Sequence, residues 1–457
     1  MKIIIVGAGR TGRALIEAFI GKSGIDITVI EKQKSKVGAI TDKYNVNGVA
    51  GSGASKDTLR AAGADTADYV FALTPVDEIN LLSCMQAKAV GARHTVARVF
   101  QPDFHTEGNA FTSEQGIDYI FNPKYDMARE VMLSIGLPGV VRPVGVFANR
   151  MQMISLRVQE GSPLAGKVLK DVRKDLNVRL VITTVLRDGK LYVPDGSFRI
   201  EAGDSVGVAS DIDDLMKNLR TLGIAKSPAK RIMVMGGDIT AEYLIGLLTG
   251  KKKSVTVIEQ DLGRCRELMD RYPSVNVVLG EGELTEVLEE EKIKDADVVV
   301  SLTESDEDNL VTSMYAWSRN VPSIITRIDS PAHLKLLHRV NLDITLSTAE
   351  ISVLRLIRYM YNCEAGDAPN EIEEYYTVAD NKAEVLQFTV GEGFRHPGVK
   401  LKDPSFKLRK NVSIASIIHD GELVVPDGSS SINKGDKVIV VTDRKNHIEN
   451  LNEIFTS

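Results

Sequence analysis

Several separated motifs recur at almost one spacing, and this recurrence constrains the fold more than any other feature of the chain. Val255–Glu259 (VTVIE) follows Ile27–Glu31 (ITVIE) by 228 positions. Thr303 with Asp306, Glu307 and Asn309 follows Thr74 with Asp77, Glu78 and Asn80 by 229. VPDG stands at Val193–Gly196 and again at Val425–Gly428, 232 positions on; Gly203-Asp204 and Gly435-Asp436 keep that offset. Arg231–Met235 (RIMVM) is an apolar run like Lys2–Val6. Chance similarity would not hold one offset across unrelated motifs. The chain is therefore a tandem duplication of a two-domain unit. Its 457 residues also exceed the roughly 250–300 at which single cores stop growing.

The first unit opens on Lys2–Gly12 (KIIIVGAGRTG). Ile3, Ile4, Ile5 and Val6 form the all-apolar run of a strand buried on both faces. Gly7, Gly9 and Gly12 follow in the spacing G-x-G-x-x-G. The three suit a tight turn, close backbone approach to a pyrophosphate, and close packing of helix on strand. A helix starting near Thr11 aims its free N–H groups and positive end at the phosphates. The competing explanation is a glycine-rich turn that serves packing alone. Context favours a nucleotide: Arg13–Lys22 is amphipathic, and Asp26–Glu31 (DITVIE) reads as a strand. Its last residue, Glu31, lies 19 positions past Gly12, about where such folds place a ribose-binding acid.

The alternation continues through a helical stretch Lys32–Lys43, a strand Asn45–Ala50 and a turn Gly51–Ser55. A short helix Lys56–Gly63, a strand Asp68–Thr74, a helix Glu78–Gly91 and strands Thr95–Val99 and Asp118–Phe121 complete it. That pace gives an α/β fold, a Rossmann-like doubly wound parallel sheet, with ligands at the carboxyl ends of its strands. Thr74 and Arg98 fall at such ends. Pro123–Pro143 reads as a helix leaving the domain and then a turn, GLPG. Gln152–Asp211 changes to short β-branched runs between DG and GD turns, the texture of a small α+β module. The expected domains are 1–123 and 140–225, then 229–350 and 372–457.

The halves differ at their loops. The second reads GGDITA, Gly236–Ala241. Ala241 in the third glycine position is tolerable. Asp238 in the second brings a Cβ and a charge to the pyrophosphate's place; two like charges at about 4 Å cost on the order of 4 kcal/mol at an effective dielectric near 20. Aspartate also suits a helix N-cap. A second fold kept for structure or assembly, with a weak or altered site, is expected.

A net charge of −6 leaves no basic footprint for nucleic acid. The three cysteines are scattered, which points to a reducing compartment and no zinc cluster. The longest uncharged run, Tyr44–Ser55, is far short of the roughly 20 apolar residues of a membrane span. Met1–Gly12 enters a strand directly and is unlike a signal peptide. A cytoplasmic protein is expected.

This architecture resembles the TrkA proteins, cytosolic regulatory subunits of bacterial Trk-type potassium uptake systems. The resemblance covers nearly the whole chain. Its units look like RCK domains, regulators of potassium conductance, each with a nucleotide-binding N-lobe and a small C-lobe. The matching pieces are Met1–Gly12, Glu31, the Ala54-Ser55 turn, the Thr74…Asp77-Glu78…Asn80 cluster and Ala97-Arg98. The C-lobe opening matches at Gly161–Gly166 (GSPLAG) and is degraded at Gly391–Gly398 (GEGFRHPG). The resemblance implies binding of NAD(H) or an adenine nucleotide, ATP or ADP. It implies that Gly7, Ala8, Gly9, Arg10 and Thr11 hold phosphates, with Gly12 in the same cofactor-binding loop. Glu31 then takes the ribose hydroxyls, Ala54 and Ser55 line the cofactor site, Thr74 takes the ligand near its strand end, and Arg98 a phosphate, unless Arg98 makes a surface ion pair. Asp77 and Glu78 equally suit first-turn acids of the following helix.

The resemblance further implies a channel subunit of the Trk type as partner, with the protein attached peripherally to the inner face of the plasma membrane. Four chains would supply eight nucleotide-fold lobes, so dimers pairing into a homotetramer are expected. The candidate surfaces are the apolar stripes of Tyr125–Leu137 (Met127, Val131, Ile135) and Ile351–Tyr361 (Val353, Leu356, Ile357, Met360), which equally suit intrachain core. An NAD-dependent dehydrogenase and a nucleotide-responsive transcription regulator are the alternatives. The first needs a positioned proton donor or acceptor. The seven histidines hold no equivalent positions in the two small modules and form no metal-binding pair, so no catalytic residue is assigned. The second needs a basic reading helix, and Lys251–Lys253, the only triple-lysine run, fits a helix end.

Overall fold

The computed structural model describes residues 1–20, 24–104, 116–136, 141–146, 151–223, 229–280, 284–330, 332–334, 344–364, 370–379, 382–446 and 448–456. The turn read at 136–139 and His105, His338 and His447 fall wholly or largely outside these residues.

The first lobe contains β1 (Lys2–Val6), α1 (Arg10–Phe19), β2 (Asp26–Glu31), α2 (Lys34–Tyr44), β3 (Asn47–Ala50) and α3 (Lys56–Ala61). It continues with β4 (Tyr69–Ala72), α4 (Asp77–Val90), β5 (His94–Arg98), β6 (Tyr119–Phe121) and α5 (Pro123–Gly136). The sheet order is β3-β2-β1-β4-β5-β6, with every pairing parallel. The apolar run of β1 takes the central position and is buried on both faces. Strand β3 starts two residues later than its β-branched pattern suggests. Asn45, at φ 52°, closes α2 in the left-handed region and takes those positions.

A small module follows: β7 (Val141–Val146), β8 (Met151–Arg157), α6 (Leu169–Leu176), β9 (Val181–Arg187), β10 (Lys190–Tyr192), β11 (Ser205–Asp211) and α7 (Ile212–Thr221). Its antiparallel sheet runs β10-β9-β11-β8-β7.

The second lobe repeats the first through β12 (Arg231–Met235), α8 (Ile239–Leu248), β13 (Ser254–Glu259), α9 (Leu262–Arg271), β14 (Asn276–Leu279) and α10 (Leu284–Glu290). Then come β15 (Val298–Ser301), α11 (Asp306–Ser318), β16 (Ile324–Arg327), β17 (Ile344–Leu346) and α12 (Thr348–Glu364). Its parallel order, β14-β13-β12-β15-β16-β17, matches the first sheet strand for strand. The second module, β18 (Ile372–Val378), β19 (Ala383–Thr389), β20 (Val412–His419), β21 (Glu422–Val424) and β22 (Lys437–Asp443), matches the first module likewise.

The repeated short motifs are turn chemistry. Asp195 accepts from Ser197 N and Oγ, and Asp427 accepts from Ser429 N and Oγ. Buried Asp204 holds Arg187 at 2.7 Å, and buried Asp436 holds His419 at 2.6 Å in the same place. Gly166 N donates to Ile200 O and Gly398 N to Ile432 O, both at 2.8 Å. The opening at Gly391–Gly398 thus keeps its partner's backbone bond despite its divergent sequence.

The two halves interlock. Helix α5 leaves the first lobe and lays Met127, Val131 and Ile135 against Leu244 and Ile245 of α8. Helix α12 leaves the second lobe and lays Val353, Leu356, Ile357 and Met360 in a core with Ile16 and Phe19 of α1. All seven stripe residues are buried within the chain. The expectation that these stripes form an assembly surface is corrected: a helical stripe signals burial, and here the other half of the same chain covers it. Where α5 and α12 meet, Arg355 Nη1 pairs with buried Asp126 Oδ1 at 2.9 Å. The inner faces of the two small sheets also share one apolar cluster, with Met151 and Met153 beside Val385, Ile439 and Val441.

Candidate functional site

The three loop glycines have different physical reasons. Gly7 sits at φ 98°, and a Cβ there would approach Thr74 N to 3.0 Å. A Cβ on Gly12 would lie 2.3 Å from Gly7 O, so this glycine lets α1 close on the loop. Gly9 has an ordinary φ of −72°, and no protein atom lies within 4 Å of the Cβ position. Nothing in the protein requires glycine there. The open side faces a cavity of about 860 Å³.

Gly7, Ala8, Gly9, Arg10, Thr11, Glu31, Thr74 and Arg98 all line this cavity. Gly12 sits behind the lining as a packing glycine. Ala54 and Ser55 are outside it, and Gly51, Ser52 and Gly53 take the place they were expected to fill. Ser55 caps α3, its hydroxyl accepting from Thr58 N. The Glu31 carboxylate accepts from Ala8 N and Gln33 N, both at 3.2 Å. Those bonds fix it at the end of β2 beside the glycine loop.

Arg98 ends β5 and reaches back to Thr11 Oγ1 at 3.3 Å. Among the described residues it makes no ion pair within 4 Å, and its Nε is buried without a hydrogen-bond partner. Burial pushes its guanidinium down to about 10, with Asp77 opposing the shift. A half-buried cation short of acceptors suits an anionic group.

The Thr74 cluster is architectural. Buried Asn80 accepts from Thr74 N and Oγ1 and donates to Thr74 O and Arg98 O, all within 2.8 Å. It staples the ends of β4 and β5. Asn309 repeats these bonds with Thr303 and Arg327 in the second lobe, where the glycine loop is altered. Asp77, in the first turn of α4, accepts from Phe100 N and Gln101 N. Asp306 does the same for Asp329 N and Ser330 N.

Sequence reasoning missed the cavity's far wall, which the other half of the chain builds. Thr240, Glu304, Arg327, Asp329 and Thr348 belong to it, and Lys124 of α5 joins them from the first half. Arg10 Nη1 contacts Asp329 Oδ2 at 3.4 Å, and Arg327 Nη2 contacts the same oxygen at 3.0 Å. The offset of 229 linking Arg98 to Arg327 was a usable signal; nothing local marked Lys124.

The second loop is filled by its own side chains. Asp238 caps α8, accepting from Thr240 N at 2.8 Å and Ala241 N at 3.1 Å. Its other oxygen meets Lys124 Nζ at 2.7 Å. Glu259 accepts from Gly237 N at 2.5 Å, and Arg264 Nε donates to Gly237 O at 2.6 Å. No histidine among the described residues lines the cavity. Those residues also hold no cluster of three or more metal-ligating side chains.

The TrkA-N domain family matches residues 3–123 and 232–348, and the TrkA-C domain family matches 153–223 and 385–456. The Trk system potassium uptake protein TrkA homolog of Archaeoglobus fulgidus is 30% identical over 459 residues, covering 100% of each chain. TrkA of Haemophilus influenzae is 25% identical over 462 residues, covering 100% of this chain and 98% of that protein. Among solved structures, the GsuK RCK domain superposes with a TM-score of 0.62 at 17% identity, over 97% of this chain and 92% of that one. The GsuK channel bound to NAD gives 0.62 at 17% identity, over 97% of this chain and 77% of that one. These two likenesses bear on the fold.

Proposed function

The chain belongs to the TrkA family, and we propose that it is a cytosolic nucleotide-sensing regulatory subunit that gates a membrane potassium channel or transporter of the Trk type. Its ligand is NAD(H) or an adenine nucleotide. The glycine loop holds the phosphates, Glu31 the ribose hydroxyls, and Arg98 a phosphate. Gly51–Gly53 supply the wall assigned from sequence to Ala54 and Ser55. The ligand named in the GsuK–NAD structure and the potassium-uptake names of the relatives support this reading.

One observation carries it: both halves of the chain wall the cavity. A ligand there touches both lobes, so its affinity depends on their relative pose. Ligands shift a conformational equilibrium by that differential affinity and by nothing else. The second lobe has a weak or altered site, because Asp238 caps α8 where the first lobe has Gly9 and Arg264 Nε donates to Gly237 O of the loop.

Assembly is proposed as dimers pairing into a homotetramer. With α5 and α12 covered, the surface falls to α4 and α11. Leu82 and Met85 are exposed on the first, Val311, Met314 and Trp317 on the second. Leu82 matches Val311 and Met85 matches Met314 at the repeat offset of 229, as expected where one lobe face meets its copy. No helix among the described residues is long and apolar enough to cross a membrane, so attachment to the inner face of the plasma membrane runs through the partner. Co-expression with the membrane subunit and affinity purification from detergent should recover a complex. A native mass spectrum should show four chains and one nucleotide per chain. A protein that stays monomeric and does not co-purify would overturn the proposal.

A further inference from the structure

Asp238 and Gly9 hold matching places, 229 positions apart, and what separates them is two oxygen atoms. Asp238 Oδ1 accepts from Thr240 N at 2.8 Å and Ala241 N at 3.1 Å. Its Oδ2 accepts from Thr240 Oγ1 at 3.1 Å and Lys124 Nζ at 2.7 Å, and buried Arg327 turns Nη1 toward it at 4.0 Å. The first loop sets out the matching donors at the same offset: Thr11 N and Oγ1, Gly12 N and the Arg98 guanidinium. No side chain caps α1 there. Lys124 crosses from the first half, as the second residue of α5. The second residue of α12, its counterpart, is Ala349. The halves thus depart from their repeat in two complementary ways across one contact. A carboxylate enters the second loop, and a cation enters the helix that meets it. Lys124 Nζ also reaches Glu304 Oε1 of the second lobe at 3.1 Å.

We propose that Asp238 is a built-in anion. Its carboxylate takes at the second loop the place that a phosphate takes at the first, and Lys124 fastens it to the other half of the chain. This inference rests on the nucleotide reading of the first loop. A helix start with free N–H groups favours an anion whatever its source, and a carboxylate accepting charge-assisted bonds serves as well as a phosphate. The Lys124 and Asp238 side chains are only 17% and 21% exposed, so salt screens their attraction less than it would a surface pair. An external phosphate would find these donors already taken and a like charge beside them. A ligand shifts a conformational equilibrium only through its differential affinity. A carboxylate belonging to the chain is present in every state, so the contact at Asp238 stays made whether nucleotide is bound or not. Only the first loop answers to ligand, and the Asp238–Lys124 clamp is the fixed point about which the halves move.

The test is calorimetric titration of the full chain with ATP and with NADH, read as sites per chain. The wild type should show one site and Asp238→Gly two. Gly9→Asp should show none, and the double variant Gly9→Asp/Asp238→Gly should regain one, now at the second loop. An Asp238→Gly chain that still shows one site, or a double variant that shows none, would overturn the built-in anion. A wild type that binds neither compound means that the loop reading fails instead, and thermal midpoints then judge the clamp by themselves. They also carry the test if Asp238→Gly fails to fold. Asp238→Asn keeps a good helix cap and removes the charge. It and Lys124→Met should each lower the midpoint by at least about 2 °C. Combined, they should lower it no further than the larger single effect, because both remove one interaction. Additive shifts, or an Asp238→Asn chain as stable as the wild type, would overturn the clamp and leave Asp238 as a cap alone.

Discussion

Gly9→Asp separates binding from folding. The backbone at Gly9 has φ −72° and ψ −167°; the matching Asp238 has φ −66° and ψ −178°. The second lobe thus shows that this backbone carries an aspartate. No protein atom lies within 4 Å of a Cβ at Gly9, so the substitution meets no clash. Helix α1 has no side-chain cap, and the new carboxylate reaches the N–H groups of Thr11 and Gly12 as Asp238 reaches those of Thr240 and Ala241. Replacing a glycine cap by aspartate gains about a few tenths of a kcal/mol. For the ligand the sign reverses. A carboxylate about 4 Å from a phosphate costs on the order of 4 kcal/mol at an effective dielectric near 20, roughly three decades of affinity. Calorimetry with NADH and ATP should show binding lost while the thermal midpoint holds or rises. Gly12→Ala is the contrast: its Cβ would stand 2.3 Å from Gly7 O, so both midpoint and binding should fall. Undiminished binding in Gly9→Asp, or a lowered midpoint with binding intact, would refute the reasoning.

Four further outcomes follow from the geometry. NADPH should bind at least tenfold more weakly than NADH, because the Glu31 carboxylate repels a 2′-phosphate; equal affinities would exclude it as the ribose acid. Asn80→Ala leaves buried Thr74 and Arg98 backbone groups unpaired and should cost about 3 kcal/mol in denaturant titration. Trp317→Asp, 57% exposed in the wild type, should lower the assembly state in light scattering without changing the midpoint. Burial outweighs Arg355 and raises the Asp126 carboxyl from 3.8 to about 6. A raised value means its contribution is complete below 3.8 and is lost as pH climbs through about 6. Relative to Asp126→Asn, the wild type should therefore lose stability between pH 4 and 6; parallel pH profiles would contradict this.

The sequence made the repeated α/β unit legible because its signals are local. A buried strand needs an apolar run, a glycine turn needs its spacing, and paired turns keep VPDG and Gly-Asp at one offset. Glu31 and Arg98 were legible as strand-end residues for the same reason. Ser55 was misplaced because a serine beside a glycine-rich turn serves equally as a wall residue or as the cap of α3, and the cap won. The interlock of α5 and α12 was not legible. A stripe such as Met127, Val131 and Ile135 records that it is buried, not which surface covers it. The far wall was hidden likewise: Asp329 meets Arg10 across 319 residues, and no local pattern encodes that pairing.

On the proposed function, nucleotide at the first-lobe loop controls potassium movement through a membrane partner. Potassium flux into liposomes carrying the membrane subunit, with this chain added and nucleotide titrated, tests it most directly. Flux should change with nucleotide for the wild type and stay flat for Gly9→Asp, with equal amounts of both proteins bound to the liposomes. The same nucleotide response from both proteins, or none from the wild type once bound, would contradict it.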